Sequence, residues 1–207
     1  MTPQFRNPQQ PQKGDVRNAL LLEQNYLCAY CGRSLNPDFS DSHIDHFWPQ
    51  SHFCGCQGPD GFIRPDHRLD YNNFFLSCGP SSHSSVRALP RTCGEAKEDW
   101  FDERSHVMPS DPECESKFKY TDAGNILPKN GGDMVARNMI EHLNLDDDGL
   151  ASDRKKVIRE IEVILDSDFS EPEKLVHARS WYEPDGDNRM SGFAQVARRY
   201  FEEESGM

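Results

Sequence analysis

The pattern of hydrophobic and polar positions changes character twice along this chain. The run Val16-Arg17-Asn18-Ala19-Leu20-Leu21-Leu22-Glu23-Gln24 has the composition of a helix, with Asp15 placed to cap its start. From Ser42 to Phe47 polar residues alternate with apolar ones as in a short strand, which Pro49 stops. Residues 51–68 mix Gly, Pro, Asp and Cys without a period and predict a loop, after which Asp70 to Leu76 supplies a second strand or the approach to one. Residues 79–92, rich in Ser and Pro, predict another loop, and Gly94 to Phe101 can start a helix. Phe118 to Pro128 then predicts a hairpin turning on Asp122-Ala123-Gly124-Asn125.

Beyond the hairpin the period lengthens to that of amphipathic helices. Residues 135–145 put Val135, Met139, Ile140 and Leu143 on one side, and residues 150–165 do the same with Val157, Ile158, Ile161, Ile164 and Leu165. Helical stretches over 172–182 and 191–203 complete a small bundle. The expected class is α+β, with a strand–strand–helix unit followed by a mainly α-helical C-terminal extension. Three regions follow: an extended arm over 1–14, rich in Gln and Pro, a first unit over 15–115, and a hairpin plus helical region over 116–207.

Composition narrows the picture. Of 207 residues 35% are hydrophobic and 28% charged, so the core is modest and benefits from a metal cross-link or a partner. The net charge of −12 repels polyanions over the whole surface, which argues against an autonomous nucleic-acid binder. It leaves room for a nuclease whose basic partner holds the substrate. No apolar run approaches the roughly 20 residues of a membrane span, and residues 1–15 lack the apolar centre of a secretion signal, so no membrane association and a cytoplasmic location are expected. In that reducing setting seven cysteines favour metal ligation over disulfides, with at least one left over.

The chemistry-bearing residues lie between Cys28 and Lys97. Cys28-Ala29-Tyr30-Cys31-Gly32 is a two-residue-spaced pair on a tight turn, the arrangement that points two thiolates at one soft metal ion. Cys78 and Cys93 can complete a closed, structural four-cysteine zinc site; Cys54-Gly55-Cys56 is the rival second pair but sits inside an irregular loop. Between the pairs, Asp45 and His46 are adjacent, a carboxylate able to hold a divalent cation beside an imidazole able to deprotonate water. His43 would point opposite His46 on an alternating strand and is a candidate phosphate or metal contact. Lys97 and Arg87 are candidate phosphate contacts, His52, His67 and His83 fall in loops, His83 being a possible zinc ligand, and Trp48 and Trp100 are expected to pack around the site.

The ordered set Cys-x-x-Cys, Asp-His-x-x-Pro-x-Ser, Tyr-Asn-Asn-Phe-x-x-x-Cys and Cys-Gly-x-x-Lys resembles HNH endonucleases of the ββα-metal type. More narrowly, HIDHFWPQS, LDYNNFFLSCG, TCGEAK, ECESKFKYTDAGNILP and IEHLNLDDDGLASDRKKVI resemble the PtuB-type nuclease subunits of Septu anti-phage systems, found also with some retrons. The resemblance covers most of residues 15–165. It implies a zinc-stapled ββα-metal core, Mg²⁺ or Mn²⁺ as catalytic cofactor, DNA as substrate and a PtuA-like ATPase as partner. RNA, including tRNA, and a retron RNA–DNA hybrid remain open, as does a zinc-stabilised binding module without catalysis. By position it makes Asp45 a ligand of the catalytic metal, His46 the general base and Asn73, with Asn72 as alternative, the residue pinning the loop that carries His46. The third motif position, His or Asn in the family, falls on Gly94 or Glu95. Glu95 is favoured as the second metal ligand, with Asp99 one turn on as fallback.

Overall fold

A computed structural model describes residues 13–58, 61–79 and 90–206 of the chain. The fold mixes helices with two small antiparallel sheets. Helix α1 (Lys13–Glu23) starts ahead of the expected cap, so Asp15 stands in its first turn, where a carboxylate favours the unpaired amides. Of the expected arm, residues 1–12 lie outside the described residues, and Lys13 and Gly14 belong to α1.

Strand β1 (Ser42–His46) pairs antiparallel with β2 (Phe74–Cys78), Ser42 opposite Cys78 and His46 opposite Phe74. The second strand begins later than its composition suggests. Asp70 accepts the Asn72 amide at 3.0 Å and caps a single 3-10 turn over Tyr71–Asn73, so the chain coils once before it extends. All of β2 is buried, because α1 covers one side and the short helix α2 (Cys93–Lys97) another. That helix ends where Glu98 takes a φ of 46°, so Trp100 and Phe101 lie beyond it. Trp100 stacks on His142 and Trp48 lies tilted against His67, both at 4.2 Å between ring centroids, as packing residues.

Strands β3 (Phe118–Tyr120) and β4 (Ile126–Pro128) form the expected hairpin. Helices α3 (Met134–His142), α4 (Asp148–Leu165), α5 (Glu171–Tyr182) and α6 (Ala194–Ser205) follow. Their starts obey local chemistry: Asp133 and Asp147 accept amides of the first turns of α3 and α4, and Ser170 with Glu173 makes a capping box on α5. Val157, Ile158 and Ile161 of α4 are buried as their period predicts. No helix among the described residues is long and apolar enough to cross a membrane.

The C-terminal helices return to the N-terminal half. Phe193 donates its amide to Gly32 at 2.6 Å, Gln195 donates to the Cys31 carbonyl at 2.9 Å, and Arg33 pairs with Asp153 at 2.7 Å. One buried cluster therefore runs from Val16 to Phe201, and the regions 15–115 and 116–207 share a single core.

The β3–β4 turn is held where Gly124, at φ 86°, lies against the α4 backbone and accepts a 2.6 Å bond from the buried guanidinium of Arg154. A Cβ at Gly124 would collide with the Ala151 carbonyl, which belongs to a helix and cannot yield. Gly124→Ala is expected to cost about 3 kcal/mol or more, from overpacking and left-handed strain together, as a lower midpoint in urea denaturation.

Candidate metal centre and catalytic site

Four cysteines converge. Cys28, Cys31, Cys78 and Cys93 are all buried, and their sulfurs lie within 4.8 Å of one another. Sγ of Cys78 stands 3.6 Å from both Cys31 and Cys93. A tetrahedral ion with bonds of about 2.3 Å requires sulfurs about 3.8 Å apart, so the spacing fits one zinc-sized soft cation. The turn is shaped to hold one. Gly32 at φ 77° lets its amide reach the Cys28 carbonyl at 2.9 Å, while the amides of Arg33 and Cys78 point at the sulfurs of Cys31 and Cys28, at 3.5 and 3.2 Å. Such amides offset thiolate charge. Burial alone would push the Cys28 thiol up, yet hydrogen bonds from the other three cysteines hold it well below its ordinary range. Hydrogen bonding to Cys28 and Cys31, with burial adding to it, pushes Cys78 and Cys93 up. Four thiolates gathered in so small a buried space would repel one another, and a dication would offset that repulsion.

The rival pair is elsewhere. Cys54 and Cys56 are joined as a disulfide in the 51–70 loop, against the expectation that metal ligation prevails over disulfides. Cys114 is the leftover thiol, pushed up to about 12 by burial and neighbouring carboxylates. It lines a cavity of about 480 Å³ beside the cysteine turn. His83 and Arg87 lie outside the described residues.

Beside the cluster, β1 carries His43 and Asp45 on the face toward α2, where the two side chains close on Gly94. Asp45 accepts the Tyr30 hydroxyl, and its Oδ2 lies 3.4 Å from Lys97 Nζ. Burial and the Asp45 charge push the Tyr30 hydroxyl far above its ordinary range, so it stays a donor. Tyr30 carries no signal in the sequence beyond its place between the first two cysteines.

His46 is half-buried, its ring edge against Phe74 at 4.8 Å. Nε2 lies 3.1 Å from the Arg68 carbonyl, a pure acceptor, so the proton sits on Nε2; Nδ1 faces the Gln50 amide at 3.2 Å and is the acceptor. Desolvation holds the imidazole below its ordinary range. Asn73 is fully buried and ties this arrangement together. Its Oδ1 accepts the Trp48 amide at 2.6 Å, and its Nδ2 donates to the carbonyls of Trp48 and His67, both at 3.0 Å. One side chain thereby links the segment after His46 to the segment whose Arg68 carbonyl orients it. Asn72 is exposed and, among the described residues, its side chain bonds only within its own turn.

Two expected residues stand differently. Lys97 has a side chain 1% exposed, so it is no phosphate contact; it bonds the carbonyls of His46 and Glu98 at 3.0 and 3.3 Å and faces Asp45. Lys97→Met is expected to lower stability by about 3 kcal/mol in urea denaturation, because it leaves two carbonyls and a carboxylate without their cation. Glu95 turns away from Asp45 and packs over Gly79, at the far end of β2. Among the described residues, no set of three metal-binding side chains that includes Asp45, His46, Glu95 or Asp99 converges as the cysteines do.

Compared with known proteins, the chain matches no protein-family model and no curated protein.

Proposed function

We propose that this chain is a metal-dependent HNH endonuclease with a structural zinc, cutting phosphodiester bonds of DNA as the nuclease subunit of an anti-phage complex with a PtuA-like ATPase. One observation carries the reading: His46 is held with a protonated Nε2 on a backbone carbonyl and an acceptor Nδ1, directly after a carboxylate, on a two-strand-plus-helix unit joined by four cysteines. Gln50, which occupies Nδ1, is exposed and can give way to water. Nδ1 then takes the proton of the attacking water, and the Arg68 carbonyl steadies the imidazolium that forms. Asn73 keeps both segments in register. Asp45 would hold a Mg²⁺ or Mn²⁺ ion, which supplies neutralisation of charge developing on the phosphate and the leaving oxygen.

The acidic surface assigns substrate gathering to the partner. Val163, Phe169 and Val176 lie exposed on α4, the connection after it and α5, which suits docking of the C-terminal helices on that ATPase.

The test incubates the purified complex with its ATPase, wild type and Asp45→Asn, with supercoiled plasmid and with tRNA in Mg²⁺ or Mn²⁺. Plasmid nicking by the wild type alone, abolished by EDTA at concentrations that leave zinc bound, is the expected result. Cleavage of tRNA alone moves the substrate to RNA. Intact nucleic acids under every condition, with the ATPase still bound, replace the reading by that of a zinc-stabilised binding module.

A further inference from the structure

We infer that the divalent-cation site takes both of its protein ligands from one strand, His43 and Asp45, with Gly94 as the space that admits the ion. The inference rests on the endonuclease reading for its purpose, but its chemistry stands on the side chains alone. On β1 the two residues are separated by one position and so share a face. An ideal Cβ built on Gly94 would lie 3.0 Å from each of Asp45 Cγ, His43 Nε2 and Ser77 Oγ. Three polar side chains therefore surround one point that only the missing methyl leaves open, no two of those atoms further apart than twice that distance.

Asp45 has an oxygen to spare, and His43 turns one ring nitrogen toward the gap. Both contacts of Asp45 with protein fall on Oδ2, from Tyr30 and Lys97, and leave Oδ1 without a partner among the described residues. His43 has a buried Nδ1 with no hydrogen-bond partner among the described residues, and its Nε2 is aimed at the gap over Gly94. That Nδ1 lies on the other edge of the ring, so it is Nε2 that would meet the ion. Ser77 is also buried, but its Oγ already accepts the Gly94 amide at 2.9 Å, which makes it a wall of the site.

The helix-borne alternative has no such geometry. Cγ, Cδ and Oε2 of Glu95 lie 3.0 to 3.2 Å from an ideal Cβ on Gly79, whose amide bonds Asp41, four positions along the chain from Asp45. A motif that puts glycine where a helix would offer a side chain is thus completed from the strand. One imidazole nitrogen and one carboxylate oxygen favour Mn²⁺ over Mg²⁺, since imidazole is a poor ligand for the harder ion.

The experiment is a Mn²⁺ titration of the zinc-loaded full chain, followed by loss of the free-ion EPR signal and by calorimetry, with pulsed EPR for nitrogen coupling. Wild type is expected to bind one Mn²⁺ with an imidazole nitrogen coupling that His46→Ala keeps and His43→Ala loses. Affinity should fall at least about tenfold in His43→Ala and in Gly94→Ala, and stay unchanged in Glu95→Gln. Should His43→Ala shed its zinc or unfold, the nitrogen coupling in wild type and His46→Ala decides alone. Wild type that binds no Mn²⁺, or binds it without nitrogen coupling, overturns the assignment, as does a Glu95→Gln loss with His43→Ala intact. Mn²⁺ lost in Asp45→Asn but kept in His43→Ala, with plasmid still cut by the wild type, sinks this inference and spares the endonuclease. Mn²⁺ held through His43 with no nucleic acid cut does the reverse.

Discussion

Cys93→Ser is expected to yield a chain with almost no bound zinc and no cooperative unfolding transition, where the wild type carries one zinc per chain. Cys93 is fully buried, opens α2 at a left-handed φ of 58° and donates its amide to the Leu143 carbonyl at 2.7 Å, so its sulfur links β2, α2 and the segment after α3. Serine there offers a ligand too poor for the site and leaves three thiols around a space sized for a cation. Structural zinc contributes about 10 kcal/mol or more to folding in small zinc domains, comparable to the entire stability of an ordinary domain. The modest core makes that contribution decisive here, and the damage spreads because α6 anchors on the same turn through Phe193 and Gln195. Zinc analysis and near-UV circular dichroism of wild type and Cys93→Ser check it. A variant with unchanged melting temperature and zinc content would remove the structural metal from the account.

What can be read from the sequence is whatever short-range chemistry controls. The two-residue spacing of Cys28 and Cys31 defines a turn by itself, and Cys78 and Cys93 stand ahead of Cys54 and Cys56 because they flank regular elements; all four sulfurs of that set converge. The β3–β4 hairpin and the helices α3 and α4 follow from turn residues and apolar period. The late start of β2 is hidden because Asp70 competes with the ladder by binding the Asn72 amide, a local bond that strand composition does not reveal. Glu95 as a ligand presumes that α2 enters as a regular helix; the left-handed Cys93 swings its first turn so that Gly94 faces β1 and Glu95 faces Gly79. Alternation already puts His43 on the face of Asp45, but its value depends on Gly94 being opposite, a contact across 51 residues of chain. Lys97 looks like a surface cation because burial of a lysine is set by tertiary packing. Nothing in the sequence indicates that α6 returns to the cysteine turn.

His46→Ala is expected to reduce cleavage in the ATPase complex by about a hundredfold to ten-thousandfold while leaving zinc content and Mn²⁺ affinity in place. The imidazole adds no buried packing of consequence: it is half-buried, rests its edge on Phe74 and bonds one carbonyl and one exposed amide. Its removal takes away the acceptor at Nδ1 and nothing that coordinates metal or holds the fold, so the loss should fall on kcat rather than on substrate binding. Two companion variants separate a base from a spacer. His46→Gln keeps a polar side chain of similar reach but offers no basic nitrogen, and is expected to be as inactive as alanine. Gln50→Ala frees Nδ1 from its amide partner and is expected to cut at least as fast as wild type, since water then has no competitor for that lone pair. Asn73→Ala supplies the contrast: it leaves the imidazole present but releases Trp48 and His67, so it should lower stability by about 2 kcal/mol and activity together. A His46→Ala complex that still cuts at near wild-type rate would show that water is deprotonated elsewhere and that the Arg68 carbonyl orients an imidazole with no part in the reaction.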